Sequence, residues 1–245
     1  MALEARELTK SFRGRKIVDE VTLNVERGKI TGLLGSNGAG KTTIFHMIIG
    51  MIRPDRGSIL LDGKDLTHLP MYQRARLGMG YLPQESSVFR KLTVEQNILV
   101  ILEILGLPGE ERRRRAKALM EELQIFHIKD SKGFSLSGGE RRRVEITRAL
   151  AISPEFLLLD EPFLGIDPIT VADLQLIISQ LREKGIGILV TDHNVRETLE
   201  ITDWTYILHE GKIIESGPPQ RIMMSKKARE TYLGEKFTMR GAIES

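Results

Sequence analysis

The sequence predicts an α/β fold built around a parallel sheet, and three observations carry that prediction. Residues 35 to 42 read Gly-Ser-Asn-Gly-Ala-Gly-Lys-Thr, between the apolar run Ile30 to Leu34 and the helix-compatible stretch Thr43 to Ile49. Phe156 to Leu159 and Ile186 to Val190 are short, wholly apolar runs ending at or near Asp160 and Asp192, as strands buried on both faces of a parallel sheet do. Between them, Asp167 can cap a helix that starts at Pro168, buries Leu174, Ile177, Ile178 and Leu181, and stops at Gly185.

The remaining elements follow in order. Val21, Leu23 and Val25 alternate with Thr22, Asn24 and Glu26, and Ser58 to Asp62 repeats a short strand-like run, so the start of the chain is β-rich. After Gln84 the pattern turns helical: Val94 to Leu107 and Arg112 to Phe126 are long, charged and periodic. Residues of about 86 to 155 therefore read as a helical subdomain inserted into a core formed by 1–85 and 156–216. Tyr206 to Ile214 reads as a hairpin turning near Glu210-Gly211, 217–237 as a C-terminal helix, and 238–245 as a tail with no assigned function. In open α/β sheets ligands bind at the carboxyl edge of the strands, which would bring Asp160 and Asp192 toward residues 35 to 42.

Composition narrows the function classes. Lys and Arg number 36 against 33 Asp and Glu, and a net charge of +3 is too small to argue for nucleic acid. The run Arg112 to Arg115 does not change this, because Glu110 with Arg114 and Glu111 with Arg115 fit i,i+4 pairs on a solvated helix; the role of Arg141 to Arg143, just after Glu140, stays open between a solvated face and the border of a ligand or a partner copy. With no Cys, disulfides, thiolate metal sites and a Cys nucleophile are excluded. No secretory signal is expected in residues 1 to 20, and nowhere do 18 apolar residues run together to span a membrane.

The spacing Gly-x-x-x-x-Gly-Lys-Thr predicts a phosphate cradle. Its glycines let successive N–H groups turn toward one anion, and a helix starting there adds positive potential. Gly35, Ser36, Asn37, Gly38, Ala39, Gly40, Lys41, Thr42 and Thr43 are the candidate binding residues. Thr42 offers a hydroxyl to a magnesium ion, a hard cation that prefers oxygen ligands. Asp160 and Glu161 supply two carboxylates at a strand end: Asp160 for the magnesium shell, through water, and Glu161 to orient or deprotonate a water attacking the terminal phosphate. Ser135 to Glu140, ahead of the helix-compatible segment Arg141 to Ala151, reads either as a second anion site made by Ser137, Gly138 and Gly139 or as a plain N-cap with Glu140 in the first turn.

With these motifs in this order, the chain resembles the nucleotide-binding subunits of ATP-binding-cassette transporters from end to end. The resemblance rests on residues 35 to 43, Gln84, Leu136-Ser137-Gly138-Gly139-Glu140, Leu157-Leu158-Leu159-Asp160-Glu161-Pro162, Gly165-Ile166-Asp167 and His193. It implies a P-loop NTPase fold: a RecA-like core with an antiparallel β subdomain and an inserted α-helical subdomain. It also implies ATP and Mg2+ as cofactors, bound between two copies of the chain, the phosphate loop of one facing Ser137, Gly138 and Gly139 of the other. One copy of each motif per chain then implies a homodimer. By the same resemblance Gln84 contacts magnesium and the attacking water, His193 contacts the γ-phosphate, and Phe12 stacks on adenine.

Further stretches resemble the lipopolysaccharide-exporting branch of that family in diderm bacteria: Gly80 to Glu85, Ser137 to Glu145, Thr191 to Thr198 and Tyr232-Leu233-Gly234-Glu235. This implies two inner-membrane permease subunits as partners, each placing a short helix in a cleft beside Gln84 that includes Phe89, Arg90 and Leu92. It also implies a cytoplasmic location on the inner face of the membrane, with membrane contact through those partners only. An alternative for Phe89 is the core of the helical insertion. The ATPase of a branched-chain amino-acid importer and a soluble, non-transport cassette protein are the alternative functions, though the second usually carries two cassettes or a long coiled coil.

Overall fold

The computed structural model describes residues 1–234 and 237. The chain runs β1 (Ala2–Phe12), β2 (Arg15–Glu26), β3 (Ile30–Gly35), α1 (Lys41–Ile49), β4 (Arg56–Leu61), β5 (Lys64–Asp65), α2 (Met71–Arg76) and β6 (Met79–Leu82). It continues α3 (Val94–Ile104), α4 (Gly109–Glu122), α5 (Gly138–Leu150), β7 (Phe156–Asp160), α6 (Pro168–Glu183), β8 (Gly187–Thr191), α7 (Val195–Ile201), β9 (Trp204–His209), β10 (Lys212–Gly217) and α8 (Pro219–Met224).

The alternating N-terminal residues form a four-stranded antiparallel sheet of order β2-β1-β4-β5. Its inward side chains, among them Leu3, Ala5, Val21, Leu23 and Val25, pack on Ile44, Phe45 and Ile48 of α1. The continuous apolar runs form the second sheet, order β10-β9-β3-β8-β7-β6, in which only the β9-β10 hairpin is antiparallel. Every residue of β3, β7 and β8 is buried, which explains why these strands show no alternation.

The helical insertion shares its core with the sheet. Val94, Ile98 and Leu102 of α3, Ala116 and Met120 of α4, and Val144 and Ile146 of α5 join Leu157, Leu159, Ile188 and Val190 in one cluster. Each fully buried aliphatic side chain there contributes about 1.5–3 kcal/mol relative to exposure. The helix ahead of Gly185 forms as expected: Asp167 accepts from the N–H groups of Ile169 and Thr170, and Leu174, Ile177, Ile178 and Leu181 are buried.

Two expectations are corrected. The C-terminal helix is interrupted: α8 stops at Met224 because Ser225 adopts an extended backbone, its hydroxyl capping a new turn at Ala228 while donating to Glu215. A wider π turn follows at Arg229–Leu233. The tail 238–245 and Glu235 lie outside the described residues. On α4 the contacts differ from the expected Glu110–Arg114 and Glu111–Arg115 pairs: Arg115 donates to the Ala151 carbonyl and the Ser153 hydroxyl, Arg112 pairs with Glu103 of α3, and Lys117 with Glu121 makes an i,i+4 pair. Among the described residues no helix is long and apolar enough to cross a membrane.

Candidate functional site

β3 and α1 are joined by five residues that turn the chain back on itself. Gly40, the residue before α1, has φ 112°, and a Cβ there would stand 2.8 Å from the Ile17 carbonyl, so the turn admits only glycine. The helix starts with no side-chain cap and no acidic residue in its first turn, leaving its N-terminal N–H groups and dipole available to an anion. Lys41 curls over the loop, its Nζ donating to the carbonyls of Gly35 at 2.7 Å and Ser36 at 3.1 Å. Burial lowers its pKa, and the carboxylates of Glu161, Asp160 and Asp192 counteract that and favour the charged form.

A cleft of about 550 Å³ opens on this loop, lined by Phe12, Arg15, Asn37, Gly38, Gly40, Lys41, Thr42, Thr43, Glu161 and His193 among others. Its volume suits a nucleotide-sized ligand. Phe12, at the end of β1, is 44% exposed with Lys10 Nζ 5.6 Å from its ring centroid; it is not a core residue.

The parallel sheet delivers the acidic groups. β7 ends at Asp160 beside Thr191, and the next N–H, that of Glu161, donates to the Thr191 carbonyl at 2.8 Å. Glu161 is only 6% exposed and sits at φ 49°, a left-handed conformation that costs a non-glycine residue about 1–2 kcal/mol. Its carboxylate is gripped on both sides, by His193 Nε2 at 2.7 Å from Oε1 and by Gln84 Nε2 donating to Oε2 at 2.8 Å. The three residues expected to act on water and terminal phosphate thus converge from the ends of β6, β7 and β8.

Beyond the geometry, the ABC transporter family model matches residues 18–164. The lipopolysaccharide export system ATP-binding protein LptB of Acidithiobacillus ferridurans is 55% identical over 235 residues, spanning 96% of this chain and 98% of that protein. The chain belongs to the ABC transporter family. The protein of the same name from Escherichia coli K12 is 52% identical over 238 residues, spanning 97% and 99%. A solved ATP-binding cassette of an ABC transporter superposes with a TM-score of 0.87 at 30% identity, covering 95% of this chain and 98% of the other. This ABC transporter subunit therefore binds and hydrolyses ATP.

The second glycine-containing segment of the ABC subunit resolves into a cap that is also exposed. Ser137 Oγ accepts from the Glu140 N–H at 3.3 Å and Glu140 accepts from the Ser137 N–H at 2.8 Å, a capping box that starts α5. That N–H pulls the Glu140 pKa down. Gly139 packs so closely on α6 that a Cβ would fall 2.5 Å from Thr170 Cγ2. Ser137 and Gly138 face solvent, and neither lines the cleft that holds Lys41.

Sequence reasoning left the role of Arg141 to Arg143 open, and the structure separates them. Arg142 is buried and donates to the carbonyls of Pro83, Asp160, Glu161 and Pro162 while pairing with Glu145 at 3.1 Å. Glu145 also accepts from Ser86 Oγ and the Ser87 N–H, both at 2.8 Å. One ion pair on α5 thereby ties the Gln84 loop to the backbone of Asp160 and Glu161. Arg141 caps the Leu136 carbonyl and Arg143 pairs with Asp173 of α6. Asp192, buried and with its pKa raised by burial, accepts from the N–H groups of Phe163 and Asn194 and fixes the turn that carries His193.

The donor set fits magnesium. Asp160 is buried with Oδ1 lacking any partner, an oxygen left for a ligand, and burial followed by the Glu161 charge pushes its pKa up to about 6. Thr42 lines the cleft with a hydroxyl, and Gln84, whose Nε2 donates to Glu161, carries an amide oxygen besides, so the candidate donors are hard oxygens. Among the described residues no group of three or more His, Cys, Asp or Glu forms a metal cage.

Proposed function

We propose that this ABC ATPase powers lipopolysaccharide export from the inner membrane, acting as a homodimer on the cytoplasmic face and joined to two permease subunits. The observation that carries the catalytic part is the Glu161 carboxylate held between His193 and Gln84 at the mouth of the phosphate loop. The cargo assignment is supported by relatives of that named function that are 52–55% identical over nearly the whole chain. They do not favour the amino-acid importer.

In this mechanism the N–H groups of residues 36 to 42 and the Lys41 ammonium bind the β- and γ-phosphates, and the Phe12 ring stacks on the adenine. Thr42, Asp160 and Gln84 would hold Mg2+, which would supply positive charge to the phosphate oxygens when bound. Glu161 orients the attacking water and accepts its proton. His193 and Gln84 keep that carboxylate aimed, and His193 turns to the γ-phosphate. Ser137, Gly138 and Gly139 present a helix N-terminus that lies outside the chain's own cleft, so the second copy supplies them to the first. A cleft shortly after Gln84 receives a permease helix: Ser86, Val88 and Arg90 line it, and Phe89, between the last two in sequence, is 45% exposed with its ring 4.6 Å from the Arg148 guanidinium.

Co-purification in mild detergent tests the assembly. Reversing the charge at Arg90 is expected to abolish capture of the two permeases while the isolated subunit keeps its ATPase activity. Recovery of partners belonging to an amino-acid importer, or of no membrane protein at all, would contradict the assignment.

A further inference from the structure

Asp160, at the end of β7, has one engaged oxygen and one free. The Tyr81 hydroxyl donates to Oδ2 at 3.4 Å, whereas Oδ1 is buried without a partner. Tyr81 stands on β6, the strand paired with β7, opposite Leu158. Its ring is braced by His46 in an edge-to-face contact, centroids 6.5 Å apart. His46 belongs to α1, the helix that opens with Lys41 and Thr42. The phenol is therefore wedged between the helix of the phosphate loop and the acidic strand end. Toward an ionised carboxylate, which only accepts, the phenol hydroxyl is the donor.

A carboxylate with two free oxygens swings about its terminal torsion, and a single fixed donor removes that freedom. Outer-shell donors of this kind set the orientation of metal-binding carboxylates in general. We propose that Tyr81 is a positioning residue for the divalent cation: its hydroxyl occupies Asp160 Oδ2 and reserves Oδ1 for the water shell of the metal bound with the nucleotide. The inference rests on the reading of the cleft as a metal-nucleotide site. Tyr81 itself touches neither nucleotide nor phosphate in this role.

The test compares binding of ADP with Mn2+ and of ADP in EDTA, by calorimetry, for the intact chain and its Tyr81→Phe variant. The variant keeps the ring against His46, and its melting temperature serves as the folding control. Expected is an affinity for Mn2+-ADP about three- to tenfold weaker, the scale of one hydrogen bond, with ADP binding in EDTA unchanged. In an Asp160→Asn background the same substitution is expected to have no further effect. Equal Mn2+-ADP affinity in variant and parent, an equal loss in EDTA, or an undiminished loss in the Asp160→Asn background would each overturn the inference. A parent chain that binds ADP no better with Mn2+ than in EDTA would overturn the metal-nucleotide reading as well, which separates the two failures.

Discussion

Glu161 combines three features that rarely coincide by chance: burial, a left-handed backbone, and a carboxylate with a partner on each oxygen. Replacing it with Gln keeps the size but exchanges one acceptor oxygen for an NH2 donor and removes the proton acceptor. Glu161→Gln is therefore expected to bind ATP as the parent does and to lose about 10²- to 10⁴-fold in turnover, measured by phosphate release. Asp160 gives a pH-dependent prediction. Its folded pKa of about 6 lies above the ordinary 3.8, so the folded chain holds a proton that the unfolded chain releases between those values. Above pH 6 the buried charge opposes folding, and below pH 4 the effect is gone. Asp160→Asn is expected to melt at higher temperature than the metal-free parent at pH 7.5, by up to about 3 kcal/mol in stability, with the gap closing as the pH falls to 4. A gap that grows toward acid would contradict the burial account.

At the scale of elements, α5 is the link between the exposed Ser137 turn and the catalytic loops. Its buried Arg142 reaches four carbonyls and one carboxylate. Truncating one member of a buried ion pair leaves an uncompensated charge, so Arg142→Met is expected to cost about 3–5 kcal/mol in urea unfolding. The double variant Arg142→Met with Glu145→Gln is expected to recover part of it, because the stranded carboxylate is removed. Much of this architecture was legible beforehand. The strands ending at Asp160 and just before Asp192, the capped helix at Pro168 and the hairpin at Glu210-Gly211 carry local signals, continuous apolar runs or turn and cap residues, that need no partner to be read. Arg142 was visible only as part of a basic run, because nothing local tells a buried arginine from a solvated one. Tyr81 looked like any strand residue for the same reason: its role depends on Asp160, 79 positions away. The C-terminal helix was read too long because its break at Ser225 is set by Glu215 on a neighbouring strand.

For the whole molecule, the phosphate loop and the Ser137 turn proposed to face it from a second copy do not share a cleft within one chain. The phosphate loop opens into the cleft with Glu161 and His193, while Ser137 and Gly138 face solvent from the far end of α5. On the proposed reading a single chain holds half of each site, and a twofold pairing would make two complete ones. The helical insertion and the sheet share one core, and Arg142 of α5 is bonded to the carbonyls of Pro83, Asp160 and Glu161, so these elements are physically connected. Because the chain has no Cys, introduced thiols are free of background. The most direct measurement places Cys at Asn37 and at Ser137 on separate copies of the Glu161→Gln chain, mixes them, and follows reaction with a short bis-maleimide by gel. The account predicts an intermolecular crosslink that forms with ATP and Mg2+ and is lost when either is omitted. No crosslink between copies under ATP and Mg2+, with the mixture remaining monomeric by light scattering, would contradict it.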